Sequence, residues 1–161
     1  MNAKVNIESI KEDLGTQLTA QLDISLDEMS IHGRQISFDN PAKLDLTVIN
    51  SNDQYIITGK AELLVELPCS RCLEVFSMPL EFDFDFQVDK SVVDNDHIDL
   101  SQEILDGIRL HLPMKAACSE DCKGLCPSCG INLNEEECDC IMHKVDPRLA
   151  KLSKLLDKKS K

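Results

Sequence analysis

Residues 80–88 read LEFDFDFQV, the sharpest pattern in the chain. Leu80, Phe82, Phe84, Phe86 and Val88 fall on one side of an extended backbone, and Glu81, Asp83, Asp85 and Gln87 on the other. Period-two alternation of this length predicts a strand with one buried and one wet face. Half-exposed strands favour an antiparallel sheet, because parallel strands are usually covered on both faces. The carboxylates read as the solvated face: a calcium site needs ligands converging on a loop, and alternation spreads them along a strand. Towards the N-terminus, residues 43–49 (KLDLTVI) alternate Leu44, Leu46 and Val48 with polar neighbours, and residues 55–67 (YIITGKAELLVEL) are rich in strand formers.

Beyond the strand, residues 89–96 are polar and acidic and predict a loop. IDLSQEILDGIRLHLP (98–113) predicts a helix, with Leu100, Ile104, Ile108 and Leu112 recurring every four residues and Pro113 closing it. Asp99 and Gln102 are expected to form a capping box, and Gly107 weakens the pattern. DPRLAKLSKLL (146–156) predicts a further helix, with Asp146 as N-cap, Pro147 in the first position and a stripe of Leu149, Leu152, Leu155 and Leu156. The expected architecture is α+β. An antiparallel β-rich domain with a C-x-x-C hairpin and a closing helix occupies 1–113. A Cys-rich zinc-binding segment follows at 114–143, and a basic amphipathic helix at 144–161.

The chain has 161 residues, 42% of them hydrophobic, with five Phe and no Trp. Its core must therefore rest on Leu, Ile and Val. No apolar run is long enough to span a membrane as a helix, and MNAKVNIESIKEDLG lacks the hydrophobic stretch of a signal peptide. A cytoplasmic location is expected. There the eight Cys stay reduced, and thiolate chemistry is favoured over a disulfide framework.

The cysteines form four pairs: Cys69/Cys72, Cys118/Cys122, Cys126/Cys129 and Cys138/Cys140. Zinc takes four soft ligands in a tetrahedron, and each close pair on a tight turn supplies two. PCSRCL (68–73) lies between two strand-like runs, as a hairpin tip would. In CPSCG (126–130), Pro127 narrows the turn, and Gly130 admits a left-handed residue that lets N–H groups face the sulfurs. Two structural tetrathiolate zinc sites are expected, one from Cys69, Cys72, Cys118 and Cys122, the other from Cys126, Cys129, Cys138 and Cys140. A competing arrangement takes all four ligands of one site from 118–129 and joins Cys69/Cys72 to Cys138/Cys140. Thiolate-only ligation closes the coordination sphere, whereas catalytic zinc keeps an open position. His143 could stand in for a Cys, while His32, His97 and His111 show no ligand spacing. With no HExxH, phosphate loop or nucleophile motif, no catalytic residue and no small-molecule substrate are expected.

Charge is unevenly placed. Residues 144–161 carry seven Lys/Arg and two Asp, which leaves −17 on residues 1–143 of a chain whose net charge is −12. Each tetrathiolate zinc adds −2, taking the loaded protein to about −16. RNA contact would then be limited to the tail with Lys115, Lys123 and Arg71, while basic proteins are electrostatically suited to the acidic body.

CSRCL at 69–73, CSEDCKGLCPSCGINLNEEECDC at 118–140 and DPRLAKLSKLL at 146–156 together resemble the YceD-like family of large ribosomal RNA accumulation proteins. Some relatives lack the CPSCG and CDC parts but keep potential ligands where Cys118 and Cys122 stand, which groups these two with Cys69 and Cys72. The resemblance implies a role in 23S rRNA accumulation and large-subunit biogenesis. Its partners would be ribosomal proteins, assembly factors or the 23S rRNA precursor. Two other classes fit the cysteines: a redox-switched zinc-thiolate chaperone, and a zinc-ribbon nucleic-acid-binding regulator, against which the acidic CPSCGINLNEEECDC loop argues.

Overall fold

The alternation at 80–88 runs on, in a computed structural model describing residues 3–93 and 95–140, through a strand of 15 residues. The strands are β1 (Lys4–Asn6), β2 (Gln17–Ile24), β3 (Met29–Ile31), β4 (Arg34–Ile36), β5 (Ala42–Asn50), β6 (Gln54–Pro68), β7 (Val75–Asp89) and β8 (His97–Asp99). One α-helix, α1 (Ser101–His111), follows β8 among the described residues. The helix expected at 144–161, and His143, lie outside them. The chain divides into a larger unit, residues 1–70 with 74–118, and a smaller one, residues 71–73 with the chain from Ser119 onward.

The larger unit is built on a four-stranded sheet of order β2-β5-β6-β7, antiparallel throughout. β6 and β7 form a long hairpin, in register from Gln54 opposite Asp89 to Pro68 opposite Val75. β1 pairs with β8, and β3 with β4 across a tight turn. In that turn His32 (φ 52°) and Gly33 (φ 74°) are both left-handed, as a two-residue hairpin loop requires.

Alternation decides what each strand buries. Ala42, Leu44, Leu46 and Val48 of β5, Ile57, Ala61, Leu63, Val65 and Leu67 of β6, and Leu80 and Phe82 of β7 are buried. Leu100, Ile104, Ile108 and Leu112, the expected helical stripe, are buried as well. The outer face carries Asp23, Lys43 and Asp45, then Lys60, Glu62 and Glu66, then Glu81, Asp83, Asp85 and Asp89.

Two glycines mark close approaches. A Cβ on Gly107 would lie 2.3 Å from the Phe82 ring, and one on Gly59 would lie 2.6 Å from that of Phe84. Gly107, which weakened the helical pattern, is thus what lets α1 come close to β7. The start of α1 departs from expectation. Asp99 accepts the Ser101 N–H at 2.9 Å, but Gln102 donates to Asp106, so no reciprocal capping box forms. Gln102 faces solvent, where a carboxylate one turn on is the nearer acceptor. After β7 ends at Asp89, the described residues of the expected loop hold one 3-10 turn, Lys90–Val92, where Asp89 accepts the Ser91 N–H.

Buried Asn50 was not foreseen. Its amide donates to the carbonyls of Ile10, Lys11 and Asp13 at 2.6, 3.1 and 3.0 Å, closing the turn ahead of β2 onto β5.

Candidate metal centre

β6 ends at Pro68, and the hairpin turns through Cys69–Glu74, closed by the Cys69 N–H donating to Glu74 O at 2.8 Å. Leu73 takes the left-handed φ of 64° that the reversal demands. Within the larger unit the Ser70 N–H and hydroxyl both donate to Ala116 O, at 2.7 and 2.8 Å. This aligns the tip with the segment following α1, and the Cys118 N–H reaches Cys69 Sγ at 3.4 Å. Main-chain donors aimed at sulfur stabilise thiolate and leave its remaining lone pairs for a cation.

In the smaller unit Arg71 organises the backbone. Its guanidinium Nη1 donates to the carbonyls of Glu120 and Cys122, both at 2.9 Å, and its own carbonyl accepts from the Leu125 N–H. Arg71, which the sequence offered for RNA contact, is thereby engaged. Gly124 passes close by: a Cβ there would lie 3.0 Å from Arg71 O. Asn134 ties the next loop, accepting from the Lys123 N–H at 2.8 Å and donating to Cys122 Sγ at 3.4 Å. The turn at 126–130 has the expected form. Gly130 is left-handed (φ 79°), its N–H donates to Cys126 O, and the Ser128 N–H faces Cys126 Sγ at 3.4 Å.

The eight thiols gather in two groups of four: Cys69, Cys72, Cys118 and Cys122, and Cys126, Cys129, Cys138 and Cys140. Within each, all sulfurs lie within 4.8 Å of one another, and none of the eight is in a disulfide. The competing arrangement, with four ligands from 118–129, is not the one formed. Four sulfurs about 2.3 Å from a tetrahedral zinc would stand about 3.8 Å apart. The donor sets thus suit a thiophilic divalent ion, and both groups could hold one. The first is the more enclosed: Cys69, Cys72 and Cys122 are buried and only Cys118 is exposed. In the second Cys126 is buried, Cys138 and Cys140 are half-buried and Cys129 is exposed.

Proton affinities in the second group diverge. The N–H groups of Cys129 and Ser128 pull the Cys126 thiol down to about 6. At Cys138 the Cys140 N–H also acts downward, but the hydrogen bond with Cys126, together with burial, outweighs it and pushes the thiol up to about 12. Cys140 is raised too, first by its hydrogen bond with Cys129. One thiolate forms readily, and further negative charge is resisted until a cation compensates it.

Sequence reasoning found the eight Cys but missed Arg71 and Asn134 as their supports. Asn132 and Asn134 are a recognisable signal, since Asn side chains close turns by bonding nearby backbone. No helix among the described residues is long and apolar enough to cross a membrane.

The sequence profile described as large ribosomal RNA subunit accumulation protein YceD matches residues 57–156. That span includes most of the β6–β7 hairpin, α1 and all eight Cys. An uncharacterized Mycobacterium tuberculosis protein is 33% identical over 131 residues, covering 73% of this chain and 63% of the relative. The Bacillus subtilis protein YlbN, also uncharacterized by name, is 31% identical over 156 residues, covering 76% of this chain and 89% of the relative. The chloroplastic large ribosomal RNA subunit accumulation protein YCED homolog 1 of Arabidopsis thaliana is 40% identical over 58 residues, 36% of this chain and 18% of that one. The chain thus spans under two thirds of the length of the mycobacterial relative. No solved structure matches it.

Proposed function

Because the chain belongs to the YceD family, we propose that it is a non-enzymatic, zinc-stabilised factor supporting 23S rRNA accumulation and assembly of the large ribosomal subunit. The observation that carries this reading is the family match across residues 57–156, the part of the chain that holds both thiol groups. Zinc is the ion that four thiolates in a closed tetrahedron suit best, and its role is to hold backbone rather than to activate water. The factor works where ribosomes assemble, in the cytoplasm, and without a membrane or small-molecule substrate. Contact runs mainly through protein partners, ribosomal proteins or assembly factors. An rRNA phosphate backbone meets an acidic body, and the basic residues of 144–161 are its natural point of contact.

Sucrose gradients of cells lacking the protein test the assignment. Large-subunit particles should fall relative to small ones and recover on re-expression. An unchanged ratio removes the ribosomal role. A redox-switched chaperone is the second reading, favoured by the exposed Cys129 and half-buried Cys138 and Cys140 of the second group. Mild peroxide releasing metal and switching on suppression of client aggregation would select it instead.

A further inference from the structure

The outer face of the four-stranded sheet has a composition that solvation alone does not call for. Eight carboxylates stand on it against two ammonium groups, Lys43 and Lys60. Lys60 is held from both sides, 2.7 Å from Glu62 and 3.1 Å from Glu81. The positive charge is therefore spent within the face, and the surplus is negative.

Apolar surface accompanies this charge. Leu64 is 41% exposed and stands opposite the exposed Pro79 in the β6–β7 register. Beside them opens a groove of about 500 Å3 whose walls include Pro41, Leu64 and Pro79, and whose rim carries Asp23, Glu62 and Glu81 together with Lys43. Ile49 and Ile56, an opposed pair, lie half-buried on the same face. A merely wet sheet face tends to carry polar residues throughout. An apolar cleft on a face where carboxylates outnumber ammonium groups eight to two instead matches a side chain that is apolar and flanked by cations.

We propose that this face docks a basic segment of a protein partner, seating one apolar side chain in the Pro41–Leu64–Pro79 groove and flanking Lys or Arg against Asp23 and the other surplus carboxylates of the face. The inference rests on the proposed role in subunit assembly and names the surface through which that role would act. Charge complementarity selects the occupant. A polyphosphate strand is repelled by the surplus carboxylates, and so is the identical face of a second copy. An acidic or neutral protein gains nothing from the rim.

The test uses the full chain loaded with zinc, and the peptide KRKLKRK as probe, followed by amide NMR shifts. Shifts should concentrate at Lys43, Glu62, Leu64 and Glu81. Glu62→Lys with Glu81→Lys should weaken the peptide by at least about tenfold. The shape-preserving pair Glu62→Gln and Glu81→Gln should give an intermediate loss, separating charge from folding. KRKSKRK, lacking the apolar residue, should bind more weakly than KRKLKRK. Shifts mapping elsewhere, or unchanged affinity in the Lys variant, overturn the proposal. It is also overturned if these residues respond to an RNA hairpin, to the chain's own concentration, or to deletion of 144–161. In cells, failure of the Lys variant to restore large subunits supports the docking face, and full rescue overturns it. The peptide mapping stands apart from the subunit ratio of cells lacking the chain, so failure of the ribosomal role is read separately.

Discussion

Gly107 shows how one absent methyl group sets a packing distance. Alanine is the better helix former by about 1 kcal/mol, yet its Cβ would fall 2.3 Å from the Phe82 ring. Phe82 is also stacked on His111, with centroids 5.0 Å apart, so the ring has little freedom to yield. Gly107→Ala should therefore destabilise the protein by about 1–3 kcal/mol, measured by urea unfolding, and Phe82→Leu in the same chain should recover part of the loss. The thiols allow a second prediction at this scale. Cys138 is pushed up to about 12 and Cys140 is raised, so both hold protons at neutral pH, whereas Cys126, near 6, has largely lost its own. Metal must displace the bound protons, so loading should acidify a weakly buffered solution, and affinity should fall as pH falls. Zinc titration with a pH indicator checks this. Loading without proton release would show that Cys138 and Cys140 are not ligands.

Hairpin tip and knuckle differ in what surrounds them. Cys69 and Cys72 follow directly on β6, whereas Cys126 and Cys129 occupy a turn whose hydrogen bonds are local. Cys72→Ser should lower amide protection in β6 and β7, and Cys129→Ser should lower it mainly within 123–134. Hydrogen exchange on the two variants distinguishes them, and equal global loss would refute the assignment of separate roles. Exposure orders the groups further. Peroxide should attack the second group first, because three of its thiols are exposed or half-buried, whereas three thiols of the first are buried and only Cys118 is exposed. Metal release with Cys126-group oxidation preceding any change at Cys69 or Cys72, followed by mass spectrometry, is the expected order.

At the scale of the whole molecule, the two units differ in what stabilises them. The larger has an apolar core of Leu, Ile and Val on its sheet and helix. Among the described residues of the smaller unit, the buried ones are Cys72, Cys122, Gly124 and Cys126, with no large aliphatic side chain among them. A segment of that composition needs a metal to hold its shape, and structural zinc contributes on the order of 10 kcal/mol or more. Purified protein should carry two zinc equivalents by elemental analysis. Chelation should abolish exchange protection in 119–140 and lower it in β6 and β7, while β2 and β5 stay protected. A single equivalent, or equal loss in both units, would contradict two independent sites.

Period-two alternation was enough to determine β5 and β7 and the face each buries, because alternation is local and a slip of one residue would turn Phe82 and Leu80 to solvent; strand-former content marked β6 without giving its buried face. The helical stripe at 100–112 and the four cysteine pairs were equally legible, each resting on spacing along the chain. β2, with Leu18, Ala20 and Leu22 only half-buried, and the short β1, β3, β4 and β8 were not singled out, since runs of three residues carry no period of their own. Nor could spacing alone decide which cysteine pairs meet. Both arrangements satisfied it, and the choice fell to the Ser70–Ala116 bonds that set Cys118 beside Cys69 across 49 residues of sequence. The outer face is likewise a tertiary property. Its carboxylates are scattered from Asp23 to Asp89, and only the register of four strands gathers them, because side chains on neighbouring strands stand about 5 Å apart however distant they are along the chain.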